Sequence, residues 1–187
     1  GSVAAYLAAR GLPLPAQSVK RHPSMPYYDN GKRIANYEAM CSLFVNCEGK
    51  PLTYHVTYLQ GDKKAPVTTA KKILPPVEPM RGGAIRLSAV TDTVAIAEGI
   101  ETALAFQSLT GIPTWAATSA TLLEQFVPPV GIAHVVIAGD CDDNAVGQAA
   151  AYGLAKRLAA DGIAFTVKIP THGDWADVIA DARSQSA

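Results

Sequence analysis

The sequence predicts an α/β fold in which a parallel-sheet domain with helices on both faces follows a small, β-rich α+β subdomain. In the second half, short apolar runs alternate with Ala-rich helical segments, which is the pattern of strand–helix–strand units. The first half has β-prone runs separated by turn residues. The charge also changes sign: the first 92 residues carry twelve Lys and Arg against six Asp and Glu, and the rest carry four against ten. These contrasts predict two units, residues 1–90 and residues 91–187.

The composition narrows the class of protein. Hydrophobic residues make up 49% of the 187 residues and charged residues only 17%, which is typical of a globular chain. No apolar run approaches the ~20 residues that span a bilayer, and the start lacks the pattern of a signal peptide. The three cysteines, Cys41, Cys47 and Cys141, are odd in number and lack CxxC spacing, so they predict neither a disulfide framework nor a zinc site. We therefore expect a cytoplasmic protein.

The elements of the first half follow from local signals. Residues 3–10 predict a short helix that ends at Gly11. The β-prone runs 40–47 and 52–59 flank the turn sequence EGKP, which predicts a hairpin. A second turn follows at 60–64, and three prolines make residues 73–80 extended.

The second half predicts alternating strands and helices. Gly111 ends the first helix, Ser119 begins the second, and Pro128 and Pro129 end it. The predicted strands are 93–97, 113–117, 133–138 and 163–169. The predicted helices are 100–109, the segment from 119 to about 127, 144–160 and 174–183.

Acidic residues follow three of these strands directly or after a short loop. They are Glu98, the group Asp140, Asp142 and Asp143, and the pair Asp174 and Asp177. In an open α/β sheet, ligands gather beyond the carboxyl ends of the strands, so we expect these acids to converge. Convergent carboxylates repel one another unless a cation lies between them, and oxygen ligands alone favour Mg²⁺ or Mn²⁺.

The loop after the third strand divides into two predicted roles. Asp140 and Asp142 alternate along an extended segment, which places both carboxylates on one side. Asp143 or Asn144 is predicted to cap the helix that follows. The alternative is that all three acids are capping or loop residues, and the pattern alone leaves it open.

Three segments carry a family resemblance: AIAEGIETALA, VVIAGDCDDNAVGQAAA and HGDWADVI, in this order and each after a strand. Together they resemble the Toprim domain, which bacterial primases, type IA and type II topoisomerases, some nucleases and recombination proteins share. The resemblance covers about residues 90–183. It is closest to the primase-like Toprim proteins of phages, plasmids and other mobile elements, for which a helix directly after the Glu is typical. The first half, through segments such as NGKRIANYEAM and RGGAIRL, is similar to the small domain that precedes Toprim in those proteins.

The resemblance implies roles for individual residues. Glu98 matches the Toprim glutamate that acts as general acid or base, and Asp140 and Asp142 match the metal-binding pair. Asp174 matches the last acidic motif, with Asp177 as its companion. The sequence departs from the family at two positions: Thr102 stands where primases often have Asp, and Ala176 stands where the mobile-element group commonly has Asn.

Basic residues of the first half are candidate contacts for phosphates. Most occur in pairs, and a net charge of +6 over residues 1–92 attracts polyanions, although pairs in loops are often simply solvated. Two glycines after Arg81 allow a close backbone approach. The predicted nucleic-acid and nucleotide contacts are Lys32, Arg33, Lys63, Lys64, Lys71, Lys72, Arg81 and Arg86.

The implied function is a primase-like catalytic core, which makes RNA primers on single-stranded DNA in the replication of a phage, plasmid or mobile element. Mg²⁺ or Mn²⁺ is the implied cofactor. The implied partners are the DNA template, nucleoside triphosphates, and a replicative helicase or the zinc-binding and helicase domains of a longer protein. Two alternatives remain: a Toprim nuclease that hydrolyses phosphodiesters, and a non-catalytic DNA-binding Toprim module.

Overall fold

The computed structural model describes residues 1–15 and 17–185, and the strands in them form one mixed sheet. The strands are β1 (Val19–Asp29), β2 (Lys32–Val45), β3 (Pro51–Gln60), β4 (Lys63–Lys64), β5 (Lys71–Ile73), β6 (Ala84–Ile85), β7 (Thr93–Ala97), β8 (Thr114–Ala116), β9 (His134–Ala138) and β10 (Ala164–Lys168). The helices are α1 (Ser2–Ala9), α2 (Ile100–Thr110), α3 (Ala120–Glu124), α4 (Val146–Ala160) and α5 (Trp175–Gln185). Among the described residues the sheet order is β10-β9-β7-β8-β6-β2-β3-β4, with β1 paired to β2 and β5 paired to β3.

The second half confirms the predicted fold class. Its four strands, β7 to β10, pair in parallel, and β7 lies between β8 and β9. Side chains alternate between the faces of the sheet: Val94 and Ile96 pack in the core that contains α4, and Ala95 and Ala97 pack in the core that contains α2 and α5. Helices therefore cover both faces, because each strand buries one apolar set on each side.

The predicted hairpin of the first half is confirmed and is longer than expected. β2 and β3 pair antiparallel, and the Asn46 side chain accepts hydrogen bonds from the backbone N–H groups of Glu48 and Lys50 in the turn. Gly49 has a φ of +89° there, which only glycine adopts readily.

Strand β1 was not predicted from the sequence. It contains Pro23 and Pro26, and its register against β2 shifts between His22 and Met25. Proline cannot donate to a ladder and is confined to edge strands and irregular positions. Among the described residues β1 pairs only with β2, so it is such an edge strand, and its prolines hide it from a prediction based on local propensity.

The short strand β6 joins the two halves of the sheet. Ile85 pairs with Phe44 of β2 on one side and with Ala116 of β8 on the other. A Cβ at Gly83 would lie 2.4 Å from the Val45 carbonyl oxygen, so this close passage needs glycine. Among the described residues, no helix is long and apolar enough to cross a membrane.

Candidate active site

A cleft of about 910 Å³ lies where the antiparallel and parallel parts of the structure meet. The second half contributes five carboxylates to its lining. Four of them are here called the acidic cluster: Glu98, Asp140, Asp174 and Asp177; the fifth is Glu101. The first half contributes three cations, here called the basic cluster: Arg10, Lys64 and Lys71. The cleft thus combines the two charge types that the sequence separates along the chain.

The topology explains why the acidic cluster forms. Ala97 of β7 pairs with Ala138 of β9, so Glu98 and Asp140 follow neighbouring strands at the same edge of the sheet. The loop after β10 is then drawn back to this edge, because the Cys141 N–H donates to the Gly173 carbonyl at 2.8 Å. Asp174 therefore lies next to the Asp140 loop, as the rule for strand ends predicts.

Asp140 is the electrostatic centre of the cluster. Its Oδ1 atom is buried and has no hydrogen-bond partner among the described residues. Burial first, and then repulsion from Asp174, Glu98, Asp142 and Asp177, raises the pKa of Asp140 to about 7. An uncompensated carboxylate of this kind is stabilised by a cation, and its oxygen donors suit Mg²⁺ or Mn²⁺.

Asp174 and Asp177 already have partners within the protein. Asp174 Oδ1 accepts from the N–H groups of Ala176 and Asp177, and Asp177 Oδ2 accepts from the Asp174 N–H at 3.0 Å. This reciprocal arrangement is a capping box at the start of α5. The other Asp174 oxygen, Oδ2, accepts from the Thr102 hydroxyl at 3.1 Å. Thr102, at the position where primases often have Asp, therefore holds the Asp174 carboxylate in place.

The start of α4 uses other side chains of the acidic loop. Asp142 Oδ2 accepts from the Gly147 N–H at 3.1 Å, and Asn144 Oδ1 accepts from the Val146 N–H at 3.1 Å. The N-cap is Ala145 rather than the predicted Asp143 or Asn144, and it has no side-chain cap. Asn144, one residue before it, and Asp142 instead accept from the first N–H groups of the helix. Asp143 is exposed. A Cβ at Gly147 would lie 2.9 Å from Asp140 Cβ and from Asp142 Oδ2, so glycine lets both acids approach the helix.

Glu98 lies half-buried at the end of β7. Burial first, and then repulsion from Asp142, raises the pKa of Glu98, while Lys71 and the Ala120 N–H act in the opposite direction. The Glu98 carbonyl accepts from the Thr118 N–H at 2.7 Å, and Thr118 has a φ of +79°. A β-branched residue seldom takes that conformation, and here it brings the end of β8 against the end of β7.

A divalent cation in this cleft would have few protein ligands. In the described part of the chain, no group of three or more His, Cys, Asp or Glu side chains is arranged to hold a metal ion. Mg²⁺ commonly takes only one or two protein carboxylates and keeps waters and substrate phosphates as its other ligands. Asp140, with its unpartnered oxygen, and Asp142 beside it fit that mode. Asp174 and Asp177 would have to share their oxygens with the capping box, and Asp142 would have to share Oδ2 with the Gly147 N–H.

The eight predicted basic contacts divide by location. Lys64 and Lys71 line the cleft. Four others are exposed on turns or edges of the first half: Lys32, Arg33, Lys63 and Arg81. The remaining two are bonded within the protein: Lys72 donates to the Tyr28 carbonyl and lies over the Tyr27 ring, and Arg86 stacks on Trp115. Arg86 also donates to the carbonyls of Asn46 and Cys47.

The structure adds residues to the cleft that the sequence analysis missed. Glu101 accepts hydrogen bonds from the Tyr6 hydroxyl and from Lys71. His55 is 7% exposed, and burial first, then the charge of Lys71, lowers its pKa to about 4. Arg183 comes from α5 and donates to the Ala9 carbonyl. Glu101 was visible as a second acid beside Glu98, but no local signal links Tyr6 or Arg183 to residues so distant in sequence.

Comparison with known families finds two matches that together span nearly the whole chain. Residues 93–184 match the Toprim domain. Residues 1–87 match a domain of unknown function, DUF7146. No curated protein matches the sequence.

Solved structures similar to this chain are primase catalytic domains. The DnaG catalytic core aligns with a TM-score of 0.63 and 16% identity, covering 100% of this chain and 72% of that one. A DnaG catalytic domain bound to single-stranded DNA aligns with a TM-score of 0.62 and 16% identity over 99% of this chain and 69% of that one. The primase fragment of the bacteriophage T7 primase-helicase gives a TM-score of 0.55 and 13% identity over 81% of this chain and 62% of that one. A DNA primase domain from Pseudomonas aeruginosa aligns with a TM-score of 0.52 and 16% identity. That alignment covers 87% of this chain and 54% of the Pseudomonas chain. At these identities the similarity is one of fold.

Proposed function

We propose, from the premise that residues 93–184 form a Toprim domain, that this chain is the catalytic core of a primase-like nucleotidyltransferase. It joins ribonucleotides into primers on a single-stranded DNA template. The proposed division lies near residue 90, with a basic subdomain before it and the Toprim domain after it. Similarity of fold to primase cores supports the reaction class, because the resemblance extends over both halves of the chain.

The observation that carries the proposal is the composition of the cleft. Asp140 has a buried, unpartnered oxygen in an acidic cluster, and Lys64 and Lys71 line the same cleft. Phosphoryl transfer is catalysed chiefly by positioning and by neutralising charge on the phosphates. A cleft with carboxylates for a cation and with lysines for phosphates supplies both requirements.

We assign the cation to Asp140 and Asp142, with Asp174 and Asp177 as outer members of the site. When bound, Mg²⁺ or Mn²⁺ would neutralise the phosphates of the nucleotide and help align them. Lys64 and Lys71 bind the same phosphates from the basic cluster. Glu98, whose pKa is raised by burial, accepts or orients the proton of the attacking 3′-hydroxyl.

The template is assigned to the exposed basic residues of the first half. Lys32, Arg33, Lys63 and Arg81 are exposed and can neutralise backbone phosphates without sequence preference. Lys72 and Arg86 contribute less, since their cationic groups already bond to carbonyls and aromatic rings. In a phage, plasmid or mobile element, a replicative helicase would deliver the single strand, either as a partner or within a longer protein.

A direct assay tests the proposal. The chain is incubated with single-stranded DNA, labelled ribonucleoside triphosphates and Mn²⁺ or Mg²⁺. Template-dependent extension products are expected. Shortened DNA would instead identify a Toprim nuclease, and a mobility shift with no chemistry would identify a binding module.

One observation favours the non-catalytic module as the second candidate. Asp174 and Asp177 form the capping box of α5, and no set of three acidic, His or Cys side chains in the described residues is arranged around a cation. If the acidic cluster serves only to build the fold, Mn²⁺ will not stabilise the protein. A melting curve that is unchanged by millimolar Mn²⁺ would therefore favour this candidate over the enzyme.

A further inference from the structure

Glu101 lies in the first turn of α2, three residues after Glu98, but its carboxylate is bonded to the first half of the chain. Its Oε1 accepts from the Tyr6 hydroxyl at 2.5 Å, and its Oε2 accepts from Lys71 Nζ at 2.9 Å. The Glu101 side chain is only 10% exposed. A buried carboxylate with two donors at fixed positions is a rigid group.

Glu101 is also a charged group at every ordinary pH. Burial alone would raise its pKa, but the charge of Lys71 and the hydrogen bonds from Tyr6 and Lys71 lower the pKa of Glu101 to about 2. Its partnership with Lys71 is therefore an ion pair rather than a neutral contact. Tyr6 is fixed in turn, because its ring is fully buried and Arg10 lies over it at 3.8 Å.

Lys71 differs from Glu101 in remaining accessible. Its side chain is 37% exposed and lines the cleft beside the acidic cluster. Its strand, β5, has three residues and pairs with β3, where Lys71 lies opposite Thr57. A lysine on so short a strand loses much conformational freedom when it binds a ligand, unless another group has already ordered it.

We propose that Glu101 is a positioning residue, which holds the Lys71 ammonium group in the cleft for the phosphates of a nucleoside triphosphate and is itself held by Tyr6. The inference rests on the proposed function for the identity of the ligand. It adds that the pair Glu101 and Tyr6, which touches no substrate, determines how tightly that ligand binds.

Whether Glu101→Gln strengthens or weakens nucleotide binding distinguishes a positioning role from simple electrostatic repulsion. Glu101 is an anion in a cleft that must bind an anion, so removing its charge would by Coulomb's law alone strengthen nucleotide binding. Loss of positioning acts in the opposite direction, because Lys71 must then be ordered at the expense of binding free energy. A weaker affinity in Glu101→Gln therefore indicates positioning.

The experiment measures the affinity of Mg²⁺-ATP by calorimetry, with no template present, for wild type, Glu101→Gln, Lys71→Met and the double variant. We expect Glu101→Gln to weaken binding roughly three- to tenfold, the range for ordering one flexible side chain. Lys71→Met should weaken binding at least as much. The double variant should bind no more weakly than Lys71→Met, because Glu101 acts through Lys71.

Two controls keep the test decisive. Glu38→Gln removes the same charge from a carboxylate that is bonded to Arg21 and does not line the cleft, so its ATP affinity should equal that of wild type. Tyr6→Phe keeps the buried ring and removes one donor to Glu101, so it should weaken binding by less than Glu101→Gln. If Glu101→Gln does not fold, as judged by circular dichroism, Tyr6→Phe alone and combined with Lys71→Met still tests whether the bond from Tyr6 to Glu101 acts on ATP through Lys71.

Several results would overturn the inference. Equal or tighter ATP binding by Glu101→Gln would reduce Glu101 to a structural link between α2 and the first half, even if its melting temperature fell. The inference would also be wrong if Lys71→Met bound ATP as tightly as wild type, or if the wild-type protein did not bind ATP. ATP binding with the expected pattern but without primer synthesis would leave the inference standing and would sink the proposed function instead.

Discussion

The acidic and basic clusters share one cleft but are built in different ways. The acidic cluster follows from topology, since Glu98 and Asp140 end neighbouring parallel strands and Asp174 is drawn to them by the Cys141–Gly173 bridge. The basic cluster is assembled from three separate elements, with Arg10 after α1, Lys64 in β4 and Lys71 in β5. The carboxylates of the acidic cluster repel one another, whereas Lys71 of the basic cluster is held by an ion pair with Glu101. The cleft therefore needs a cation on one side and already contains an anion on the other.

The largest effect is expected from Glu98→Gln. If Glu98 handles the proton of the attacking hydroxyl, its loss should lower primer synthesis by about 10²- to 10⁴-fold, the usual range for a general acid or base. The Mn²⁺-induced rise in melting temperature should be retained, because Glu98 is not assigned to the cation. Turnover and thermal melts on the same preparation check both parts. A lost Mn²⁺ shift would move Glu98 from the proton-handling role to the metal site.

In the metal-free protein, pH should affect stability in opposite directions through Asp140 of the acidic cluster and through Glu101, the ion-pair partner of Lys71. The folded-state pKa of Asp140 is raised to about 7, so the folded state holds its proton more tightly, and this residue destabilises the fold as pH rises from about 4 to about 7. The folded-state pKa of Glu101 is lowered to about 2, so its contribution is complete above about 4.3 and is lost as pH falls towards 2. That contribution is at most about 3 kcal/mol.

Melting curves between pH 2 and pH 8 test this contrast through differences from wild type. Asp140→Asn should gain stability relative to wild type as pH rises from 4 to 7. Glu101→Gln should lose stability relative to wild type over the interval from about pH 2 to pH 4 and hold a constant deficit above it. Parallel pH profiles for all three proteins would mean that neither carboxylate has the pKa assigned to it.

A smaller effect is expected in metal binding by Asp140→Asn. At Mn²⁺ concentrations near a hundred times the Kd, binding stabilises a protein by about 2.7 kcal/mol, which corresponds to a shift of roughly 5–10 °C for a chain of this size. Asp140→Asn should lose most of this shift. Asp143→Asn is the matched control, since it removes the same charge from an exposed residue of the same loop. An equal shift in both variants would show that Asp140 is not a ligand.

The sequence was sufficient for the parallel half and insufficient for the cleft as a whole. Strands β7 to β10 have compact apolar runs, and helix ends such as Gly111 and Ser119 are marked by their own residue types. The acids at the strand ends could be predicted for the same reason. The edge strand β1 could not, because its prolines contradict strand propensity and only pairing with β2 resolves the conflict.

The partners of the site residues were also beyond reach of local reasoning. Tyr6 and Glu101 are 95 positions apart, and Lys71 and Glu101 are 30 apart, so their contacts depend on the joining of the two halves through β6. Likewise, the spacing of Asp174 and Asp177 fits both a metal motif and a capping box. Only the hydrogen bonds that these carboxylates accept from backbone N–H groups show that both residues cap α5.

The smallest effects concern DNA binding and sharpen the contrast between exposed and internally bonded cations. Each phosphate that a protein neutralises on a single strand contributes about −0.7 to the slope of log affinity against log salt. Lys32→Ala and Lys63→Ala, which remove exposed charges, should each make the slope shallower by up to about 0.7. Arg86→Gln removes a charge whose guanidinium is already stacked on Trp115 and bonded to the hairpin carbonyls, so it should lower the melting temperature and leave the slope unchanged. Titrations of a labelled single strand at several salt concentrations measure all three. A slope that becomes shallower in Arg86→Gln but not in Lys32→Ala or Lys63→Ala would place the DNA beside Trp115, and the assignment of the template to the exposed edges of the first half would then be wrong.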